Sequence, residues 1–339
     1  MPEPPVLLPV FKPEKTMKFR ILLWLFLFLS MGLTASTLND SIPEKKADST
    51  KPWSYKGQYA VMLNQISFKN WASGGESSLS GRASVDYHLK YKKEKFSFDH
   101  TAHIAYGMVG YLHKRIQKTD DKIDLLFGLS NQISKRWYFT SIVSFKTQFS
   151  KGYKNPDFDH EISGFMAPGY LTISIGFRYK AKKDFELFMS PLAGKVTFVL
   201  DQYLANQGAY GVKKAILDTL GNVLVPGRNI TGQLGINILS SYQANIMKNI
   251  LFKTRINLYN NYLEENPDKR WQIDMDWNNA LSFKINKYFS TVLLVQLKYD
   301  PNALFPVFKN IDGINTAISE KSRLQWKQSL GVSFLYNVQ

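Results

Sequence analysis

Five histidines and a scatter of acids are the residues of this 339-residue chain suited by type to proton transfer or metal binding. His88 and Asp99 face each other if the hairpin between them turns at Lys93-Glu94. A His–Asp pair at that spacing orients a general base, and a plain structural hydrogen bond is the competing role. His100 and His103 lie three apart on one strand and so point to opposite faces, which rules out a shared metal. His113 and His160 fall in loops. No G-x-S-x-G or H-E-x-x-H motif occurs. The acidic stretch 155–160 lacks the glycine and closing glutamate of a calcium loop. There is no cysteine, which removes disulfides, thiol nucleophiles and thiolate metal sites. The expectation is no catalytic residue, no metal site and no cofactor, with a barrel lipid hydrolase kept as the remote enzymatic alternative.

The elements that carry these residues repeat with a period of two. In 271–285, Trp271, Ile273, Met275, Trp277, Leu281, Phe283 and Ile285 share one face, and Gln272, Asp274, Asp276, Asn278, Ser282 and Lys284 share the other. Twelve such segments are predicted: 57–67, 77–91, 95–110, 121–133, 137–148, 164–180, 184–200, 229–243, 250–262, 271–285, 289–300 and 323–338. They run eleven to seventeen residues, against about five or six for strands of soluble proteins. Tight turns (92–94, 134–136, 181–183, 247–249, 286–288) alternate with longer loops (68–76, 111–120, 149–163, 201–228, 263–270, 301–322). This pattern predicts an all-β fold: a transmembrane antiparallel up-and-down β-barrel of about twelve strands, with short periplasmic turns and longer extracellular loops. The even count puts both chain ends on the periplasmic side. Tyr91, Trp137, Tyr179, Phe289 and Tyr336 near the short turns, and Tyr106, Tyr262, Trp271 and Tyr299 near the long loops, match two interfacial girdles. The alternative is a large soluble β-sandwich with the aromatics in its core.

The formal net charge is +16. One group of cations (Lys92, Lys93, Lys95, Lys135, Arg136, Lys180, Lys182, Lys183, Lys248, Lys287) sits at the tight turns. It reads as solvated turns, or as a basic collar facing anionic headgroups or an acidic periplasmic partner. Nucleic acid is excluded as a partner, because no compact basic stripe with stacking aromatics occurs. A second group faces the predicted lumen: Arg82, Lys90, Lys122, Lys146, Arg178, Lys253, Arg255, Lys284, Lys298 and Lys327, with Asp86, Asp99, Asp124, Asp274 and Asp276. Lys253 and Arg255 are expected to reach Asp274 and Asp276 on the neighbouring strand. Mixed signs at close quarters brace a narrow barrel, or line a charged transport path.

Ahead of the barrel, Lys18 and Arg20 precede the apolar run 21–29 and the small residues Thr34-Ala35-Ser36. Residues 17–36 therefore read as a signal peptide, with an uncleaved anchor as the alternative. Residues 1–16 read as a start-site artefact ahead of Met17, 37–52 as a flexible leader, and 53–339 as the barrel. The expected location is the outer membrane of a Gram-negative bacterium, in contact with its lipids.

The first predicted loop reads Asn70-Trp71-Ala72-Ser73-Gly74-Gly75-Glu76. Gly74-Gly75 permits a tight positive-φ turn. With 119–125, 146–149, 167–172 and 190–195, this run resembles domain-of-unknown-function family 3078 of Bacteroidota. The family form has Ala at the position of Ser73 and Asn at that of Ser77. The resemblance implies export and no established activity. Three functions follow as expectations. The first is a narrow pore or transporter for small polar or anionic solutes. The second is a non-conducting structural or accessory barrel that docks proteins through its long loops or basic turns. The third is the barrel hydrolase. Twelve strands give a lumen narrower than a general porin's, which weighs against free diffusion.

Overall fold

The computed structural model describes residues 51–67, 76–111, 114–153, 157–181, 184–264, 267, 270–311 and 314–338. Residues 1–16, the signal segment 17–36, most of the leader 37–52, and Asn70, Trp71, Gly74 and Gly75 of the loop motif lie outside the described residues. So do Lys182 and Lys183 of one tight turn and His113.

Twelve strands form the barrel. They are β1 (Trp53–Ile66), β2 (Ser78–Lys93), β3 (Phe96–Tyr111), β4 (Gln117–Gln132), β5 (Trp137–Thr147), β6 (Gly169–Ala181), β7 (Phe185–Phe198), β8 (Ile230–Met247), β9 (Ile250–Asn261), β10 (Asp274–Lys284), β11 (Phe289–Tyr299) and β12 (Gln325–Val338). Each pairs antiparallel with its sequence neighbours, and β1 closes the ring on β12 from Gly57 opposite Val338 to Leu63 opposite Val332. Both ends of the barrel sequence lie at the short-turn end.

Strand alternation decides which residues face in. Leu63, Leu129, Phe139, Ile173, Phe177 and Trp326 point outward and are exposed. The intervening Ser130, Thr140, Ser174 and Ser333 point inward and are buried. An apolar outer surface around a polar interior inverts the arrangement of a soluble β-sandwich, and that alternative is set aside. Aromatic pairs stand at the short-turn end, with ring centroids 4.8 Å apart for Trp53–Tyr91 and 5.1 Å for Trp137–Tyr179.

Several boundaries differ from the expected ones. β6 starts at Gly169 rather than 164, because Gly164 and Ala167 exchange backbone hydrogen bonds in a separate small turn. β10 starts at Asp274, which leaves Trp271 outside the strand and 85% exposed. β4 starts at Gln117, so the preceding loop is shorter than 111–120. The loop 301–322 carries its own hairpin, Leu304–Ile311 paired with Ile314–Ser322. The loop between β7 and β8 carries the short helix Gln202–Asn206, capped by the Asp201 carboxylate accepting from the Leu204 N–H.

Two departures from regular pairing matter for the interior. The β2–β3 turn is Glu94-Lys95, with Glu94 at φ 51°, so Lys93 pairs with Phe96. That register sets Lys90 opposite Asp99 and His88 opposite Thr101, correcting the expected His88–Asp99 opposition by two residues. In β7 the register shifts at 190–192: Ser190 faces Asn237, yet Ala193 faces Gly235. This is a β-bulge around Pro191, which has no N–H to leave unpaired. Gly176 on β6 is needed beside it, because a Cβ there would lie 2.0 Å from the Met189 carbonyl oxygen. The bulge reverses the facing of everything after it, turning Ala193, Lys195 and Thr197 inward.

Candidate functional site

The lumen divides into three levels along the barrel axis. At the short-turn level, Asp99 on β3 is the hub. Its carboxylate lies 3.2 Å from Arg178 Nη1, 3.8 Å from Lys180 Nζ and 3.6 Å from His88 Nε2. Arg178 lies on β6, three strands round from β3, so its guanidinium crosses part of the lumen. It passes over Gly128, where a Cβ would come within 3.1 Å of Nη2. Lys180 also reaches Glu186, at 3.5 Å. His88 and Asp99 are thus diagonal neighbours rather than a directly opposed pair. His103 is directly opposed to Asp86 on one side and Asp124 on the other, and it is hydrogen-bonded to Asp86, Nδ1 to Oδ1 2.6 Å. Among the described residues, no hydroxyl is hydrogen-bonded to either ring.

The middle level is apolar. The buried Leu126, Ile142 and Phe188 pack together with Leu239. These residues come from β4, β5, β7 and β8 and point inward, where alternation alone calls for polar groups.

The long-loop level holds the remaining lumen charges. Lys146 on β5 reaches Asp276 on β10 at 3.1 Å, although the two strands are five apart in a ring of twelve. The pair is therefore a strut across nearly the full diameter. Asp124 sits beside it, 3.9 Å from Lys146 and 3.8 Å from Lys122. Asp276 also accepts from Asn278 Nδ2 at 2.7 Å and Gln296 Nε2 at 3.1 Å. Lys195 on β7 pairs with Asp274 on β10 at 2.5 Å. Asp120 on β4 takes Arg82 at 2.6 Å and Lys327 of β12 at 3.0 Å. The expected reach of Lys253 and Arg255 to Asp274 and Asp276 is not what forms. Lys253 pairs along the sheet with Ala280 and Arg255 with Asn278, while lysines from across the lumen hold both acids. Strict alternation from Phe185 would turn Lys195 outward. Its one sequence signal is a proline, Pro191, in a strand interior four residues earlier.

Between the apolar level and the long loops, with the struts on its walls, lies a cavity of about 110 Å³. Leu126, Ile142 and Leu239 form its floor, with Arg255 at the same depth. Tyr170, Lys195, Tyr259 and Lys298 stand higher on the walls. The Lys195 ammonium lies 5.4 and 5.1 Å from the ring centroids of Tyr170 and Tyr259, within cation–π range. Among the described residues, neither Arg255 nor Lys298 makes an ion pair, and the buried Tyr170 hydroxyl has no hydrogen-bond partner. Above the cavity, Tyr210 donates to the Ile162 carbonyl at 2.6 Å, tying the β7–β8 loop to the β5–β6 loop. Burial and the nearby Asp300 carboxylate push the Tyr210 phenol up to about 12. At the outer end of the first loop, Glu76 pairs with Lys114 at 2.5 Å on the exposed surface. Among the described residues, no group of three His, Asp or Glu is placed to hold a metal ion.

A family model described as a protein of unknown function, DUF3078, matches residues 63–153. No curated protein matches the chain. The solved structures it resembles include the COG4313 outer membrane channel from Pseudomonas putida F1, with TM-score 0.38, 8% identity, and coverage of 88% of this chain and 100% of that one. The NanC porin gives TM-score 0.35 and 9% identity over 82% and 98% of the two chains. The translocator domain of autotransporter NalP from Neisseria meningitidis gives 0.34 and 8% over 94% and 95%. The chain is a closed twelve-stranded antiparallel β-barrel with an apolar outer surface, similar over residues 63–153 to a family of unknown function.

Proposed function

We propose that the protein is exported by its 17–36 segment to the outer membrane of a Gram-negative bacterium, such as the Bacteroidota of the family it resembles. There, with its short turns in the periplasm, it conducts small anionic solutes through a lumen that is closed at rest. The observation that carries this reading is the surplus of cation in the long-loop cavity. Lys146 and Lys195 are held in struts, while Arg255 and Lys298 face the same space with no ion pair among the described residues. Oriented, unpaired donors in a confined polar space select anions. The apolar middle level and the Lys146–Asp276 strut make passage conditional on rearrangement, which distinguishes this barrel from a diffusion pore.

The same closure favours one other reading, a non-conducting accessory barrel. It would dock partners through the Leu304–Ser322 hairpin or the lysines of the short turns. Recording from the purified protein in planar lipid bilayers separates the two. The conduit reading expects conductance steps with an anion-selective reversal potential, moved toward cation selectivity in the Arg255→Gln, Lys298→Gln double variant. A folded barrel that stays silent at all voltages sinks it in favour of the accessory role.

A further inference from the structure

We infer that the long-loop cavity is a binding site for a short-chain monocarboxylate, its carboxylate on Arg255 and its tail on Leu126, Ile142 and Leu239. The inference deepens the conduit reading and rests on it for its place in transport. The site itself is argued from what the cavity leaves unused.

The acids on the cavity lining are occupied. Asp274 holds Lys195, and Asp276 holds Lys146, Asn278 and Gln296. The one loop acid on the lining, Asp300, accepts from the Asn302 backbone N–H at 2.9 Å. The donors are less fully used: the Arg255 guanidinium and the Lys298 ammonium make no ion pair among the described residues, Lys298 lying over the Tyr170 ring 5.9 Å from its centroid, and the Tyr170 hydroxyl is closed off without a partner. A buried polar group left unsatisfied destabilises the fold. An acceptor-rich ligand removes that cost, and a guanidinium fork fits a planar carboxylate in bidentate fashion.

Charge sets the ligand's valence. Lys146, Lys195, Arg255 and Lys298 against Asp274, Asp276 and Asp300 leave one net positive charge on the lining. A monoanion neutralises it, and a dianion reverses it. Size sets the tail. A cavity of about 150 Å³ accepts benzene, and this one measures about 110 Å³. The three aliphatic floor residues, backed by Phe188, offer nothing to a compact tetrahedral oxyanion and a dry surface to a few methylenes. A water molecule satisfies Tyr170 alone but leaves the Arg255 fork without a bidentate acceptor and the apolar floor without a tail.

The test is calorimetric titration of the detergent-purified barrel with butyrate, inorganic phosphate, succinate and octanoate. Saturable butyrate binding is expected, with phosphate, succinate and octanoate failing to compete. Arg255→Gln is expected to weaken binding roughly ten- to hundredfold, the worth of a charge-assisted hydrogen bond. Tyr170→Phe weakens it by less. Leu239→Phe fills the floor and abolishes binding with Arg255 intact, so the inference survives a folding failure of the arginine variant. Heat-modifiable gel migration identifies the folded variants. No saturable butyrate signal, equal competition by phosphate, or an unchanged affinity in folded Leu239→Phe overturns the site. Conductance on the same preparation keeps the two ideas apart. Anion-selective current without butyrate binding overturns the site alone, and butyrate binding to a silent barrel overturns the conduit alone.

Discussion

The two ends of the lumen use the same residue types to different effect. At the short-turn end one carboxylate, Asp99, has Arg178, Lys180 and His88 within 4 Å, and Arg178 and Asp99 are both almost fully buried. At the long-loop end the pairs are spread over several acids, with Lys146 on Asp276, Lys195 on Asp274, and Arg82 and Lys327 on Asp120, and two cations, Arg255 and Lys298, make no ion pair over a cavity. Charge that is saturated and buried braces a wall, because every member of the network depends on the others. Charge that is unpaired and faces a space has work left to do. The apolar level between them, Leu126, Ile142, Phe188 and Leu239, keeps the two networks from merging.

The largest expected effect comes from breaking the brace. Asp99→Asn leaves Arg178 buried without its counter-charge, and removal of one partner from a buried pair costs about 3–5 kcal/mol. Urea unfolding of the variant, followed by heat-modifiable migration, is expected to show a loss of that order. Asp276→Asn in the long-loop half is expected to cost clearly less, since the Asp276 side chain is 20% exposed against 10% for Asp99. Equal losses for the two would erase the distinction between bracing and binding ends.

Next is the level that separates them. Phe188 is 2% exposed, and truncation of a buried phenylalanine costs about 3 kcal/mol or more in a sealed core. Here water from either end of the lumen can fill the space, so Phe188→Ala is expected to lose less than Asp99→Asn. Its main effect should be a rise in single-channel conductance or open time in planar bilayers. A variant whose conductance equals that of the parent protein shows that the apolar level is not the closure.

How much of this was legible follows from the kind of information each feature needs. Alternation is local, so the inward and outward sets of β4, β5, β6 and β10 could be read directly, as could the lumen placement of Arg82, Lys146, Arg178, Asp274 and Asp276. Register needs the turn conformation, and nothing in Lys93-Glu94-Lys95 announces that Glu94 takes a positive φ. A turn centred on Lys93-Glu94 therefore sets His88 opposite Asp99, two residues from the observed register. Lys195 was lost to the bulge, whose only local mark is Pro191. Contacts across the lumen are the least legible. Lys146 and Asp276 lie 130 residues apart, and only closure of the ring brings them together. Sequence order suggests the neighbouring strand as the partner of Asp276, and the barrel supplies the opposite wall instead.

The smallest expected effect concerns the roof of the cavity, and it tests whether the long-loop end is held by its own contacts. Tyr210 sits at φ 58°, a conformation uncommon for a side-chain-bearing residue, and its hydroxyl donates to the Ile162 carbonyl. Its folded-state value of about 12 lies above the ordinary phenol value near 10. The protonated form is therefore the one the fold stabilises. That stabilisation is complete below pH 10 and is lost as the pH rises from about 10 through about 12. Tyr210→Phe removes the hydrogen bond, worth about 0.5–1.5 kcal/mol, and with it the titration. Limited proteolysis of the β7–β8 loop by an alkali-tolerant protease is expected to accelerate between pH 10 and 12 in the parent protein. In Tyr210→Phe cleavage should be faster at pH 8 and rise less over the same window. Because the brace at Asp99 lies at the other end of the barrel, global unfolding should not follow this titration. A parallel loss of heat-modifiable migration over that window would mean that roof and brace are one cooperative unit.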